Sequence, residues 1–216
     1  MSLPDLRSRL YFVLPTGLPT EQLLSMVDAA VAGGVGIMQY REKDKPTRQM
    51  MEEAVLIMRR TRPAGVPLVI NDRTDIALAV EADGVHVGQE DMPVGIARKL
   101  LGPSAIMGAT TPSPQAIVQA DSEGASYVAI GAMFPSPTKP EKSAVGVGAI
   151  KAARQATTLP ICAIGGINKG NIGQLLAEDV ALYAVISAIS SADDPQAAAA
   201  ELVAIISGRA GDRQSS

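Results

Sequence analysis

Residues 35–44 read Val-Gly-Ile-Met-Gln-Tyr-Arg-Glu-Lys-Asp, an apolar run that passes into charge without an intervening turn. In an extended chain alternate side chains share a face. Gln39, Arg41 and Lys43 therefore lie on one side, an amide and two cations together. The apolar part is continuous rather than alternating, which suits a strand covered on both faces, as in a parallel sheet flanked by helices. The cations need something opposite them: surface carboxylates, or an anion that the protein binds.

The same kind of run recurs along the chain. Strands are predicted at Leu10–Leu14, Val35–Tyr40, Leu68–Ile70, Gly84–Val87, Ile106–Ala109, Tyr127–Ile130, Ile161–Ile164 and Tyr183–Ile186. Helical segments are predicted between them, near Thr20–Ala32, Thr47–Arg60, Thr74–Val80, Gly95–Leu101, Pro114–Glu123, Gly148–Ala156, Ile172–Ala177 and Pro195–Ile206. In the first of these, Leu23, Leu24, Val27, Ala30 and Val31 form one apolar face. Eight strand–helix pairs point to a single-domain (β/α)8 TIM barrel, an α/β fold, rather than an open doubly wound sheet. The barrel is expected to occupy residues 1–207, and the tail 208–216 reads as polar and disordered.

Bulk properties narrow the function. At 216 residues the chain can bury one sizeable core. A net charge of −3 gives no field for nucleic acid, so any anion site must be a local cluster. With no Trp and two Phe, base stacking is an unpromising mode of binding. No run of eighteen apolar residues is present, so no membrane span is expected, and the N-terminus lacks an apolar signal core. The single cysteine, Cys162, excludes an internal disulfide framework, fits a reducing cytoplasm, and reads as a small buried side chain.

In such barrels the chemistry sits at the C-terminal ends of the strands. In chain order those ends carry Gln39, Arg41 and Lys43; Asn71 and Asp72; Gly88 to Asp91; Thr110; Ser136 to Lys139; Gly165 and Gly166; and Ser187. Asp72 alone could be a helix cap, but cations gathered with it at the strand ends imply an anion. Gly165-Gly166 and Ser187 follow the seventh and eighth strands, where such barrels commonly bind phosphate. Asp72 and Asp91 suit Mg²⁺, which takes one or two carboxylates together with phosphate oxygens and water. Cations with Mg²⁺ point to a diphosphate whose departure they stabilise.

Other features read as structural. The only histidine, His86, lies mid-strand and is expected inside the barrel rather than acting as a general base. With one His, neither a His-rich metal site nor a Ser-His-Asp triad can form. Met50, Met51 and Met58 read as packing, Arg59 and Arg60 as a solvated helix end, and Asp193-Asp194-Pro195 as a helix start.

From Leu10 to Ile206 the chain resembles the thiamine-phosphate synthase (thiamine-phosphate pyrophosphorylase) family. The likeness rests on Gln39-Tyr40-Arg41-Glu42-Lys43-Asp44, Asn71-Asp72-Arg73, Ala82 to Asp91, Ile130 to Lys139, Ala163 to Ile167 and Val185 to Ile189. It implies the joining of 4-amino-5-hydroxymethyl-2-methylpyrimidine diphosphate to 4-methyl-5-(2-hydroxyethyl)thiazole phosphate. The diphosphate would leave first, and the thiazole nitrogen would capture the pyrimidine methylene cation. The resemblance implies that the segment Gln39, Tyr40, Arg41, Glu42, Lys43, with Asn71, holds the pyrimidine diphosphate. Asp72 and Asp91 would hold Mg²⁺, and Thr110 and Lys139 would face the diphosphate. Arg41, Lys43, Thr110 and Lys139 would be catalytic. Ser136, Pro137, Thr138, Gly166, Ile186 and Ser187 would hold the thiazole phosphate.

The partners implied are small molecules, without nucleic acid or membrane, and a homo-oligomer is left open. The family usually carries Ser where Thr110 stands, a His where Pro112 stands, and Thr where Ser136 stands. A thiazole tautomerase of the same superfamily is the nearest rival, and it would lack the Asp72 and Asp91 set. A non-catalytic thiazole-phosphate or thiamine-phosphate binding protein is the second. An unrelated phosphate-binding barrel is the third, and it would leave the Gln39-Arg41-Lys43 pattern unexplained.

Overall fold

Eight short parallel strands close on themselves, each paired with its sequence neighbour and β1 also with β8. The computed structural model describes residues 3–135 and 144–208. The strands are β1 (Leu10–Val13), β2 (Ile37–Tyr40), β3 (Leu68–Asn71), β4 (Gly84–Val87), β5 (Ile106–Thr110), β6 (Tyr127–Ile130), β7 (Ile161–Ile164) and β8 (Leu182–Val185). Between them run α1 (Thr20–Ala32), α2 (Thr47–Thr61), α3 (Thr74–Ala79), α4 (Val94–Leu101), α5 (Pro114–Ser122) and α6 (Gly148–Ala156). After β8 come α7 (Ser187–Ser190) and α8 (Pro195–Ile206). This is the (β/α)8 barrel expected from the sequence.

Strand alternation divides the core in two. One set of side chains fills the barrel, including Tyr11, Ile37, Val69, Tyr127, Cys162 and Leu182. The other set, including Phe12, Met38, Ile70, Val85 and Val128, packs outward against the helices. The apolar face of α1 buries Leu23, Val27 and Ala30, with Leu24 and Val31 partly covered. Burying a Leu or Val of this kind contributes about 1.5–3 kcal/mol. Met50 and Met58 lie in the same layer. Ser113 and Asp194 cap α5 and α8 through the Ala116 and Ala197 N–H groups.

Two connections differ from expectation. The segment expected to be helical at Ile172–Ala177 is a 3₁₀ turn, Ile172–Leu175. Gly173 weakens a helix there, and the Asn168 and Asn171 side chains accept the backbone N–H groups of Gly170 and Asn168. Ser187 follows the eighth strand as read, and it opens a short helix, α7, that the sequence reading did not include. Among the described residues no helix is long and apolar enough to cross a membrane. The expected tail from 209 onward lies outside the described residues.

Candidate active site

Two partly buried cations elsewhere in the barrel, Arg98 and Arg154, are committed to structure. Arg98 donates to the Gly102, Ala105 and Gly124 carbonyls, and Arg154 to those of Thr157 and Leu159. Arg41, past the end of β2, has no carboxylate partner among the described residues. Among the described residues, Lys43 pairs only with Asp72, at 3.4 Å.

The loop that carries these cations is held from behind. Glu42 is buried, and its carboxylate accepts the N–H groups of Gly17, Lys43 and Asp44 at 3.0, 2.7 and 3.2 Å. Glu53 of α2 is also buried and accepts from the Thr20 and Tyr40 hydroxyls, each at 2.6 Å, and from the Lys45 ammonium at 2.9 Å. Burial works to raise both carboxyls, but these donors together with Lys45 hold both below the ordinary value. Tyr40 and Glu42 are thus not brought into the mouth with Arg41 and Lys43. Tyr40 neighbours Gln39 on the strand, so it points the other way, into the helical layer.

At the next two strand ends, Asp72 and Asp91 meet. Burial first, then hydrogen-bonding contact with Asp91 and its charge, hold the Asp72 carboxyl above the usual range against the pull of Lys43. The Asp91 carboxylate also accepts the Gly88 N–H at 2.7 Å. Asp72 adopts φ +62°, a left-handed conformation that costs an ordinary residue roughly 1–2 kcal/mol. Its N–H donates to the His86 carbonyl at 2.8 Å, which pins the turn. Asp72 does not cap α3; Arg73 stands at that position and makes no side-chain cap bond.

Two crowded carboxylates, partly open to solvent, are a hard-oxygen donor set that fits a Mg²⁺ ion. Among the described residues no group of three or more His, Cys, Asp or Glu gathers, so a cation here would complete its shell with water or substrate oxygens.

Below the mouth, four inward side chains lead across the barrel interior. Gln39 Nε2 donates to Tyr11 Oη at 2.7 Å, Tyr11 and Tyr127 share a hydrogen bond at 2.9 Å, and Tyr127 meets His86 Nδ1 at 2.9 Å. His86 Nε2 then meets Thr110 Oγ1 at 2.8 Å. Burial depresses the His86 imidazole to about 4, against the opposing charge of Asp91, so it is neutral at physiological pH. His86 is interior, as the sequence suggested, yet it touches an expected site residue. Tyr11 and Tyr127 were not singled out in the sequence. Their inward phase was legible, since Tyr11 lies two residues before Val13 and Tyr127 two before Ala129, all inward.

The far side of the mouth is built on Gly165 and Gly166, at φ +96° and +68°. A Cβ on Gly165 would lie 2.7 Å from Ala132, and one on Gly166 would lie 2.5 Å from the Phe134 and Pro135 carbonyl oxygens. The pair lets the loop after β6 lie directly on the end of β7. Ile186 and Ser187 follow β8 and are partly exposed. Asn71 ends β3 and is buried. Ser136, Pro137, Thr138 and Lys139 lie outside the described residues. A 740 Å³ cavity lies away from these strand ends, lined by Leu3, Asp5, Arg62, Asp83 and Ser104 among others, and holds none of them.

Residues 10–189 match the model of a protein family described as thiamine monophosphate synthase. The chain belongs to that family. Within the thiamine monophosphate synthase family it is 45% identical over 201 residues to the thiamine-phosphate synthase of Chloroflexus aurantiacus, covering 92% of this chain and 93% of that protein. It is 44% identical to the thiamine-phosphate synthase of Vibrio campbellii, over 92% and 98% of the two chains. Its structure is similar to the thiamine phosphate pyrophosphorylase of Pyrococcus furiosus, with a TM-score of 0.84, 34% identity and coverage of 95% and 98%. A 3-hexulose-6-phosphate synthase, at 18% identity and a TM-score of 0.70, shares the fold alone.

Proposed function

We infer that this protein is a thiamine-phosphate synthase, a transferase. It joins 4-amino-5-hydroxymethyl-2-methylpyrimidine diphosphate to 4-methyl-5-(2-hydroxyethyl)thiazole phosphate and yields thiamine phosphate and diphosphate. The observation that carries the reading of the site is the junction of β2, β3 and β4: Arg41 without a carboxylate partner among the described residues, beside Lys43 and the crowded Asp72 and Asp91.

Asp72 and Asp91 would hold Mg²⁺, which when bound neutralises charge on the diphosphate. Arg41 and Lys43 bind the diphosphate, and their fixed charge favours its departure, because negative charge grows on the leaving group in the transition state. Gln39 and Asn71 orient the pyrimidine. Thr110 offers a hydroxyl to the diphosphate, and Lys139, by its place in the family motif, faces the same group. Ser136, Pro137, Thr138, Gly166, Ile186 and Ser187 hold the thiazole phosphate. Tyr40 and Glu42 act one step back, through the buried contacts that fix the cation-bearing loop.

No protein nucleophile takes part. Burial pushes the Cys162 thiol well up, and both His86 nitrogens are engaged inside the barrel. A dissociative course fits such a site: diphosphate leaves, and the thiazole nitrogen attacks the methylene cation. The setting is the cytoplasm, and the partners are small molecules, without nucleic acid or membrane. A homo-oligomer is compatible with Leu78, Ile96, Leu100 and Val118, exposed on α3, α4 and α5.

The test is diphosphate release from the purified protein with both substrates and Mg²⁺, each omitted in turn. Release that requires all three, with thiamine phosphate formed in equal amount, is expected. Silence from folded protein would overturn the reading in favour of a binding protein.

A further inference from the structure

The hydrogen bonds inside the barrel run in one line through side chains from five strands and end at two site residues. Gln39 on β2 stands at one end and Thr110 on β5 at the other, with Tyr11, Tyr127 and His86 between them. We propose that Tyr11, Tyr127 and His86 are positioning residues that form a one-way relay, in which the Gln39 amide forces the Thr110 hydroxyl to act as a donor toward the mouth. The proposal deepens the functional reading above and rests on it for the identity of the acceptor, an oxygen of the diphosphate.

Donor counting sets the direction. An amide NH₂ only donates, so Tyr11 Oη accepts from Gln39. Tyr11 must then place its own proton on Tyr127, because its other surroundings, including Val13, Ile37 and Ile106, are apolar. Reversing the line would bury the Tyr11 proton without an acceptor, at the desolvation cost of an unmade hydrogen bond. Tyr127, having accepted, donates to His86 Nδ1. A neutral imidazole that accepts at Nδ1 carries its proton on Nε2, and that proton goes to Thr110 Oγ1. The Thr110 hydrogen is left to point elsewhere, and Thr110 is partly exposed at the end of β5.

The packing is arranged around this line. A Cβ on Gly108 would lie 2.4 Å from His86 Nδ1 and 2.2 Å from Tyr127 Oη, so only glycine leaves room for that bond. The Tyr127 ring also stacks on His86 at 5.6 Å and meets Tyr11 edge-on at 6.0 Å.

His86 is the chain's only histidine, so an imidazole nitrogen spectrum of the full chain labelled with ¹⁵N-histidine reports this one ring. The expected result, without any substrate, is a neutral ring protonated at Nε2 with Nδ1 accepting. A proton on Nδ1, or an imidazolium, would overturn the relay while leaving the synthase reading untouched. Gln39→Glu removes the forced donor, and once its carboxyl is ionised the line should run backward, moving the His86 proton from Nε2 to Nδ1. The spectrum is followed over about pH 6–9, where a carboxyl with an ordinary value is already ionised and one with a value raised by burial becomes so. An unchanged tautomer throughout refutes the coupling. In a Tyr11→Phe background the same change should leave the tautomer alone. Tyr127→Phe should lower kcat about tenfold, roughly the worth of one hydrogen bond, with KM for both substrates nearly unchanged; wild-type kcat would refute the catalytic role.

Discussion

Lys43 Nζ lies 3.4 Å from Oδ2 of Asp72, so the loop after β2 lays an ammonium against one of two crowded carboxylates at the next strand ends. The contact joins the anion-binding part of the mouth to the cation-binding part. Lys43→Ala should therefore act in opposite directions on the two ligands. Mg²⁺ alone should bind a few-fold tighter, in keeping with the ~0.2–1 kcal/mol of an exposed ion pair. The pyrimidine diphosphate should bind more weakly and turn over more slowly. Titration calorimetry with Mg²⁺ alone and then with the diphosphate separates the two effects, and weaker binding of both would contradict this geometry.

Asp91 has two duties, since its carboxylate contacts Asp72 and also accepts the Gly88 N–H. Asp91→Asn keeps an acceptor for that N–H and removes the charge. Turnover should fall at least about a hundredfold, since one carboxylate of the metal set is lost, while the melting temperature stays within a few degrees. Near-normal Mg²⁺-dependent turnover in the folded variant would remove Asp91 from the metal site.

Glu53 should govern acid stability. Despite its burial, its bonds to Thr20, Tyr40 and Lys45 hold it below the ordinary value. The folded state therefore holds the proton less tightly than the unfolded chain. The resulting stabilisation is fully present above the unfolded value of about 4.3 and is lost as pH falls through the lower folded value. Glu53→Gln should destabilise the protein by roughly 1–3 kcal/mol at neutral pH and flatten the acid limb of its stability curve. Denaturant melts from neutral to acid pH would show it, and parallel curves for the two proteins would contradict it.

Gly166→Ala combines a left-handed backbone with a Cβ only 2.5 Å from two carbonyl oxygens of the β6 loop. It should cost about 1–3 kcal/mol, as overpacking does. It should also weaken thiazole phosphate binding more than pyrimidine diphosphate binding, because the displaced loop lies on the β7 side of the mouth. Equal loss for both ligands would assign Gly166 to general stability instead.

The sequence by itself determined the strand count, the closed α/β architecture and the ring of strand-end groups. Those depend on local pattern, namely continuous apolar runs, helical periodicity between them, and polar residues directly after each run. It also placed His86 inside the barrel by its position mid-strand. Only the tertiary structure decided which interior groups meet. Tyr11, Gln39, His86, Thr110 and Tyr127 lie on five strands far apart in the chain, and the barrel's closure and stagger bring their polar atoms within 2.7 to 2.9 Å. Alternation with Gln39 already turned Tyr40 away from the mouth, but its partner, the buried Glu53, and the Gly17 N–H that Glu42 accepts come from other elements and were decided by the tertiary structure. Local pattern fixes where a side chain starts and which face it shares, whereas a hydrogen bond between distant residues depends on the few-ångström geometry of the assembled barrel, which no short stretch of sequence encodes.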